Sequence, residues 1–270
     1  MRSIEKENAM ISNKTRNPLI DNVQSDEYSF PYHYIPSPNA YLKLGKSWGY
    51  SASYIAAINL TKRWLSSLLV ANKPVRHRHM DFGCGDGGFL YALSQDDRFR
   101  EIAFDGIDID ERALRWGELF SSNIPNVDLR CGNLRDIEGG TYDSGTLIEV
   151  FEHIPIDEAP DFVSGIAKSL KKDSMLFVTV PSTEIPVSDK HYRHFDFNSI
   201  QRCFSDQFNV VLCFGFEKSS LLSRALKSVM MQRRIYIETS VTSNYFIKEY
   251  ERKFSKISGC GRIGLLMQRK

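Results

Sequence analysis

The chain has 270 residues, of which 42% are hydrophobic and 25% charged, a composition typical of a folded protein with one sizeable core. Its formal net charge of +2 excludes a strong basic field of the kind that binds nucleic acid by itself. Five widely spaced cysteines without a C-x-x-C pair, and the lack of any apolar run near the roughly 18 residues that span a bilayer, predict a cytoplasmic protein with reduced thiols and no membrane partner.

The first 72 residues divide into three parts. Residues 1–26 are polar and lack periodicity, which predicts a mobile tail. Residues 28–50 are rich in aromatic side chains but contain three prolines and two glycines, which exclude one continuous helix. Ser51 fits the N-cap of an amphipathic helix over 51–72. We therefore expect an aromatic lid and an N-terminal helix within 27–72.

From about residue 76, short apolar runs alternate with amphipathic segments. The predicted strands are HRHMDFG (77–83), IAFDGIDI (102–109), NVDLRCGN (126–133), DSGTLIEV (143–150) and SMLFVTVPS (174–182). The predicted helices are GGFLYALSQ (87–95), ERALRWGELFSSN (111–123) and DEAPDFVSGIAKSLKK (157–172). Strands that alternate with helices pair in parallel and are covered on both faces, so the pattern predicts a doubly wound α/β domain over residues 73–270.

The C-terminal third continues this pattern around an insertion. A helix near 197–207 and a strand at 209–217 are followed by residues 217–257, which predict two helices before the last strand, GRIGLLMQ (261–268). The basic stretch KSVMMQRR (227–234) within the insertion is either a solvated helix face, a phosphate site or the face of a homodimer.

The stretch DFGCGDGGFL joins the first strand to the first helix of the domain. The dinucleotide fingerprint G-x-G-x-x-G is satisfied by Gly83, Gly85 and Gly88. Because Asp108 follows where a ribose-binding acid is expected, a nucleotide-dependent oxidoreductase is one alternative. Asp81 and Asp86 frame the loop, however, and carboxylates repel a pyrophosphate. The loop therefore favours a cationic ligand, and S-adenosylmethionine, with its sulfonium and ammonium groups, meets that requirement.

Five stretches resemble, in order and spacing, the successive motifs of class I S-adenosylmethionine-dependent methyltransferases. They are DFGCGDGGFL, GIDIDERAL, CGNL, TLIEVFEHIP and LKKDSMLFVTVPS, and the resemblance covers about residues 76 to 216. It implies a mostly parallel, seven-stranded sheet of the Rossmann-like methyltransferase fold, with an antiparallel last pair. It also implies S-adenosylmethionine as the cofactor.

The resemblance further implies how the cofactor is held. Asp81 would lie near the ammonium group, Asp108 would accept hydrogen bonds from both ribose hydroxyls, and Ile109 would pack on the adenine. Asn133 and Leu134 replace the more usual acid-containing pair, although an asparagine carbonyl still accepts from the adenine amino group. The implied cofactor-binding residues are together Asp81, Gly83, Cys84, Gly85, Asp108, Ile109, Asn133, Leu134, Glu149 and Val150.

Methyl transfer from a sulfonium is an in-line displacement, with a base if the nucleophile must lose a proton. His153, after the fourth strand, and His191, after the fifth, are the candidate catalytic bases, and the alternative is that they hold loops together. The candidate acceptor-binding residues are Tyr28, Tyr32, His33 and Tyr34 of the lid, together with His194.

A metal site is an alternative role for the same region. Glu149, Glu152 and His153 have i, i+3, i+4 spacing, and with His194 they are residue types that bind a divalent ion. Methyltransferases that act on the terminal 2′-hydroxyl of small RNAs show a similar motif, so a metal-dependent RNA terminal 2′-O-methyltransferase is an alternative function. A further alternative is a binding module without catalysis. We expect no metal, no nucleic-acid partner, and methyl transfer to an oxygen or nitrogen of a small or carbohydrate-like metabolite.

Overall fold

The computed structural model describes residues 44–72, 76–232, 235–236 and 239–270. Within these residues, a seven-stranded sheet lies between helices. The helices are α1 (Leu44–Asn72), α2 (Gly88–Ser94), α3 (Glu111–Ser121), α4 (Ala159–Ser169), α5 (Phe197–Phe204), α6 (Leu221–Met230) and α7 (Ser240–Tyr250). The strands are β1 (His77–Phe82), β2 (Ile102–Asp108), β3 (Val127–Cys131), β4 (Tyr142–Ile148), β5 (Leu170–Pro181), β6 (Phe208–Phe216), a short hairpin of β7 (Met231–Gln232) and β8 (Ile235–Tyr236), and β9 (Arg262–Arg269).

The sheet confirms the expected doubly wound, mostly parallel topology. Its strand order is β3-β2-β1-β4-β5-β9-β6, and β9 runs antiparallel to both of its neighbours. The chain builds outward from β1 to β3 and then returns to the other side of β1 with β4. Ligands of such sheets bind where the strand order reverses, at the carboxyl ends of the strands. A ligand site is therefore expected at the ends of β1 and β4.

Apolar side chains cover both faces of the sheet. One buried cluster includes Met80 and Phe82 of β1 with residues of α4 and α5. The cluster on the opposite face includes Phe104 of β2, Phe89 of α2 and Leu65 of α1. Fully burying a side chain of this size contributes roughly 1.5–3 kcal/mol, so these two layers explain why the strands read as apolar runs.

Two element boundaries differ from the sequence-based expectation by four residues or more. Helix α1 begins at Leu44, so Ser51 lies inside it and is not its N-cap. No proline interrupts this stretch, and the two glycines at 45 and 49 each cost only about 1 kcal/mol in a helix. Strand β5 begins at Leu170, before the expected position 174, because Leu170 is buried and pairs with Tyr142 of β4.

The insertion forms the two predicted helices, α6 and α7, before β9. The predicted tail at 1–26 and the lid residues Tyr28, Tyr32, His33 and Tyr34 lie outside the described residues, so their roles stay predictions. Among the helices that the structure describes, none combines the length and the hydropathy that a membrane span requires.

Candidate functional site

The turn after β1 brings the main chain very close to the end of β4. Gly83 and Gly85 have φ angles of +74° and +54°, which side-chain-bearing residues rarely adopt. The backbone N–H groups of Gly83 and Cys84 both donate to the carbonyl of Ile107 in β2, over 2.8 and 3.0 Å. A Cβ atom on Gly83 would lie 2.7 Å from the side chain of Val150. Glycine is therefore required at this position by both conformation and space.

Asp108 ends β2 beside this turn, and both of its carboxylate oxygens are held by main-chain donors. Oδ2 accepts from the N–H of Gly85 over 2.8 Å, and Oδ1 accepts from the N–H of Asp110 over 2.9 Å. Burial raises the pKa of Asp108, although these hydrogen bonds oppose the rise. Each oxygen keeps a second lone pair, so the fixed carboxylate can accept one hydroxyl per oxygen, as the two ribose hydroxyls require.

Asp81, the fifth residue of β1, is almost completely buried, with 3% of its surface exposed. Its Oδ1 accepts a hydrogen bond of 2.7 Å from the hydroxyl of Thr146 in β4. Burial raises the pKa of Asp81 to about 7, the Thr146 hydrogen bond opposes the rise, and the nearby charge of Asp108 adds to it. A cationic group placed against Asp81 would favour the ionised form of this carboxyl group. An ammonium group is such a cation.

The side chains of two further loop residues, Cys84 and Asp86, are engaged within the protein itself. The thiol of Cys84 points into the sheet, where it would meet a Cβ on Gly106 at 2.8 Å. Burial raises the pKa of this thiol well above its usual range. The side chain of Asp86 accepts from the N–H of Gly88 over 3.0 Å and so caps the turn that leads into α2.

The residues expected around the adenine lie at the ends of β2 and β3. Ile109 is 66% exposed, so its side chain is available for packing. The side-chain oxygen of Asn133 accepts from the N–H of Arg135 over 3.1 Å and forms a capping box with Asp136, so this oxygen is already engaged in capping a single helical turn. Leu134 instead packs inward near Gly165 of α4.

Glu149 follows β4 with a φ of +56°, a backbone conformation that costs a residue with a side chain about 1 kcal/mol or more. Its Oε1 accepts from the hydroxyl of Thr179 over 2.9 Å, and its Oε2 accepts from Nε of Arg262 over 2.8 Å. Arg262 also donates to Glu217. Burial lowers the pKa of Arg262, but the two carboxylates outweigh burial and raise it overall. The carboxylate of Glu149 is thus committed to an ion pair.

Three histidines lie together after β4 and β5. Nδ1 of His153 lies 2.9 Å from the carbonyl oxygen of Lys190, and Nδ1 of His194 lies 3.1 Å from that of Ile185. A carbonyl only accepts, so both Nδ1 atoms carry the proton, and Nε2 of each ring is a lone pair. Nδ1 of His191 lies 2.8 Å from Nε2 of His194 and must therefore donate to it. The Nε2 atoms of His153 and His191 are left as acceptors.

Burial keeps these rings uncharged. It lowers the pKa of His153 to about 4, which the hydrogen bond to Lys190 only partly offsets, and that of His191 to about 3. The two rings meet edge to face with their centroids 4.7 Å apart. Both imidazoles are therefore neutral at neutral pH, which is the state that a base or a metal ligand needs.

Glu152 completes this group from inside the protein. It is 1% exposed, and its Oε2 has no hydrogen-bond partner among the described residues. Burial raises its pKa well above the usual range, and the charge of Glu149 adds to the rise. One donor atom from each of Glu152, His153 and His191 lies within 4.8 Å of the other two. Of the four ligands considered from the sequence, Glu149 and His194 have other partners, and His191 takes their place.

A small recess lies beside this group. Its lining residues are Ser53, Tyr54 and Ala57 of α1, Ile148 and Glu149 at the end of β4, and Arg262 at the start of β9. The first helix therefore helps to enclose the space next to the carboxyl end of β4.

Sequence reasoning missed two residues that hold the site together. The sequence pattern places Thr146 in an apolar strand and predicts no role for its hydroxyl. That hydroxyl donates a hydrogen bond to Asp81, the register partner of Thr146 in β1. Arg262 lies 113 residues after Glu149, and no local motif links the two. The role of Thr146 could have been predicted from its place in a buried strand, because a buried hydroxyl needs a hydrogen-bond partner.

The comparison with known families agrees with this geometry. Residues 80–176 match the family model described as a methyltransferase domain. No curated protein sequence is similar enough to this chain to count as a match.

Solved structures share the fold at low sequence identity. Magnesium protoporphyrin IX methyltransferase from Synechocystis PCC 6803, solved with bound S-adenosylmethionine, has a TM-score of 0.57 at 14% identity, over 95% of this chain and 100% of that one. A putative sarcosine dimethylglycine methyltransferase from Galdieria sulphuraria has a TM-score of 0.54 at 16% identity, over 77% and 84%. Geranyl diphosphate C-methyltransferase from Streptomyces coelicolor A3(2) has a TM-score of 0.52 at 14% identity, over 77% and 76%.

Proposed function

Since this chain carries a class I S-adenosylmethionine-dependent methyltransferase domain, we propose that it methylates an oxygen or nitrogen of a small or carbohydrate-like metabolite. The observation that carries the proposal is the pair of carboxylates of the buried Asp81 and the partly buried Asp108, at the ends of adjacent strands around the close approach at Gly83. When bound, S-adenosylmethionine supplies an electrophilic methyl group. Asp108 would hold its ribose hydroxyls and Asp81 its ammonium group.

We further propose that His153 or His191 accepts the proton of the acceptor. The lone pairs on their Nε2 atoms support this role, because the Nδ1 atoms are fixed as donors. Their low pKa values make both rings weak bases. We therefore expect an acceptor that loses its proton while the new bond to carbon forms, and not one that must first become a full anion.

One observation supports a small acceptor. The net charge of +2 supplies no broad basic field for a polyanion. The three solved proteins are named for chemically different acceptors, so the shared fold favours none of them for this chain.

The experiment that tests this proposal measures S-adenosylhomocysteine formed from S-adenosylmethionine with panels of sugars, phenols, amines and small RNA ends. We expect turnover with a small acceptor and tight binding of S-adenosylhomocysteine. Binding of NAD in preference to S-adenosylhomocysteine in a thermal-shift assay would overturn the cofactor assignment. Turnover with RNA ends alone would overturn the acceptor assignment.

A second candidate is the metal-dependent RNA terminal 2′-O-methyltransferase. It is favoured by the convergence of Glu152, His153 and His191, with a buried carboxylate oxygen that has no hydrogen-bond partner in the part of the chain that the structure describes. Two histidines and a carboxylate are a donor set that zinc and other divalent transition metals accept. Elemental analysis of the purified protein separates the two candidates, since a stoichiometric metal together with loss of activity in a chelator would favour this second function.

A further inference from the structure

Five buried polar side chains form a line along the neighbouring strands β1 and β4, and this line ends at Asp81. His77, His79 and Asp81 occupy alternate positions of β1, and alternate residues of a strand face the same side. Ser144 and Thr146 of β4 are the register partners of His79 and Asp81. None of the five is more than 5% exposed. A polar line of this kind inside a sheet must satisfy its own hydrogen bonds.

The line is joined by four unbroken hydrogen bonds. Nε2 of His77 lies 2.7 Å from the hydroxyl oxygen of Ser144, which lies 2.8 Å from Nδ1 of His79. Nε2 of His79 lies 3.0 Å from the hydroxyl oxygen of Thr146, which bonds Oδ1 of Asp81 over 2.7 Å. The start of β1 is thus connected, atom by atom, to the carboxylate at the far end of the strand.

The ionised form of Asp81 fixes the direction of every one of these bonds. A carboxylate only accepts, so Thr146 donates to it and must itself accept from Nε2–H of His79. Nδ1 of His79 is then a lone pair that accepts from Ser144. Ser144 in turn accepts from Nε2–H of His77. All four protons point towards Asp81, and every N–H and O–H donor in the line is used.

Protonated Asp81 reverses all four bonds. Its carboxyl group donates to Thr146, Thr146 donates to Nε2 of His79, Nδ1–H of His79 donates to Ser144, and Ser144 donates to Nε2 of His77. The two states differ by one proton. When a proton binds Nδ1 of His77, each hydrogen bond passes its own proton forward, and an O–H bond forms on Asp81. Both histidines end neutral with the proton on Nδ1, so charge and atoms balance.

We propose that His77, Ser144, His79 and Thr146 are a proton relay that sets the charge with which Asp81 meets its ligand. The relay matters because Asp81 is buried and a bound ligand would cover it further. His79 and Thr146 are then positioning residues that act on the cofactor through Asp81. The proposal rests on the proposed function only in taking the cofactor's ammonium group as the ligand of Asp81.

The charges around the line allow proton exchange near neutral pH. Burial raises the pKa of Asp81 to about 7, so this carboxyl titrates in the working range. Burial lowers the pKa of His79 to about 3, so this ring stays neutral in both states of the relay. Its other neighbours are the rings of Trp64 and Phe104. The titratable groups that act on the two ends are Asp108 and Cys84 beside Asp81, and Asp143 and Lys171 beside His77.

The first test reads the tautomer of His79 in the wild-type protein without cofactor. Long-range ¹⁵N–¹H NMR distinguishes Nδ1–H from Nε2–H rings, and carboxyl ¹³C shifts follow the titration of Asp81. We expect His79 to change from the Nδ1–H to the Nε2–H tautomer as pH rises through the titration of Asp81. A single tautomer at all pH values, whether or not Asp81 titrates, would overturn the relay.

The second test breaks the line at Thr146 without changing the side-chain shape. Thr146→Val should move the pH at which S-adenosylhomocysteine affinity is half lost upward by about one unit, because loss of the donor disfavours the ionised carboxylate. Thr146→Ser keeps the hydroxyl and should keep the wild-type midpoint. The matched control is Thr61→Val in α1, where the hydroxyl is also fully buried but has no partner among the described residues.

These results separate the relay from the proposed function. A wild-type midpoint in Thr146→Val, or an equal shift in Thr61→Val, would overturn the relay even if the enzyme binds its cofactor. If S-adenosylhomocysteine does not bind the wild-type protein at all, the proposed function fails, and the His79 tautomer still decides whether the relay exists.

Discussion

The cofactor side and the acceptor side of this sheet are built in different ways. Asp81, Gly83 and Asp108 come from one strand-turn-helix-strand unit, in which main-chain hydrogen bonds hold Gly83 and Asp108, and only Asp81 relies on a side chain of β4, Thr146. The acceptor side pairs His153 with His191 and Glu149 with Arg262, and the members of each pair come from separate parts of the chain and meet through side chains. A local unit specifies the first side, whereas the second depends on long-range pairing.

This difference predicts how each side should respond to change. Substitutions on the cofactor side should lower cofactor affinity, because the proposed role of its carboxylates is to bind the cofactor directly. Substitutions on the acceptor side should lower turnover with little change in cofactor affinity, because the proposed role of its histidines concerns only the acceptor.

Deleting residues 1–43 should give the largest effect, with turnover abolished and cofactor binding weakened. The cut ends where α1 begins, so it removes the predicted aromatic lid and keeps the helix that lines the recess. A lid excludes water and walls the acceptor pocket. Deleting only residues 1–26 should leave turnover and S-adenosylhomocysteine affinity nearly unchanged. Equal effects of the two deletions would refute the division between tail and lid.

His153→Asn and His191→Asn test the acceptor side with matched shapes. Asparagine can place an N–H near the position of Nδ1, so the bonds to Lys190 and His194 can survive while the Nε2 lone pair is lost. Turnover should fall by roughly 10² to 10⁴ for whichever residue is the base, with unchanged cofactor affinity. If both variants retain full turnover per folded molecule, neither histidine has a chemical role.

Asp108→Ala tests the cofactor side. The variant loses two charge-assisted hydrogen bonds to the ribose, each worth roughly 1.5–3 kcal/mol, so S-adenosylhomocysteine affinity should fall at least about tenfold. Asp128→Ala on β3 is the control, because that carboxylate is exposed and, among the described residues, pairs with the surface residue Arg130. Unchanged calorimetric affinity in a folded Asp108→Ala protein would show that the assignment of the ribose site is wrong.

Asp81→Asn should separate stability from binding, with the smallest effect of the four. Since the folded-state pKa of Asp81 is raised to about 7, ionisation of this group destabilises the fold progressively between about pH 4 and 7. Asparagine does not ionise, so the cofactor-free variant should be more stable by roughly 2–4 kcal/mol at pH 8 and about equal near pH 4. Urea unfolding at both pH values measures this difference. A variant less stable than wild type at pH 8 would contradict it.

The sequence was most informative where structure is local. The alternation of strands and helices, the glycine turn and Asp108 are all read from neighbouring residues, and the observed sheet confirms the predicted fold. The ion pair of Glu149 with Arg262 was not predictable, because its members are 113 residues apart. The replacement of His194 by His191 beside Glu152 was equally hidden, since it depends on which carbonyl each ring meets. The polar line to Asp81 required the register between β1 and β4.

The position of β9 between β5 and β6 has a consequence for how the protein folds during synthesis. This strand pairs with β5 and β6, and its first residue, Arg262, forms an ion pair with Glu149. Strand β9 is the last of the seven strands of this sheet to be synthesised. The unit of β1 to β3 can therefore assemble while translation continues, whereas the acceptor side must wait for the chain through Arg269. Until then, the facing edges of β5 and β6 lack their partner strand, so nascent chains stalled before β9 should be the form most exposed to aggregation and to chaperone capture.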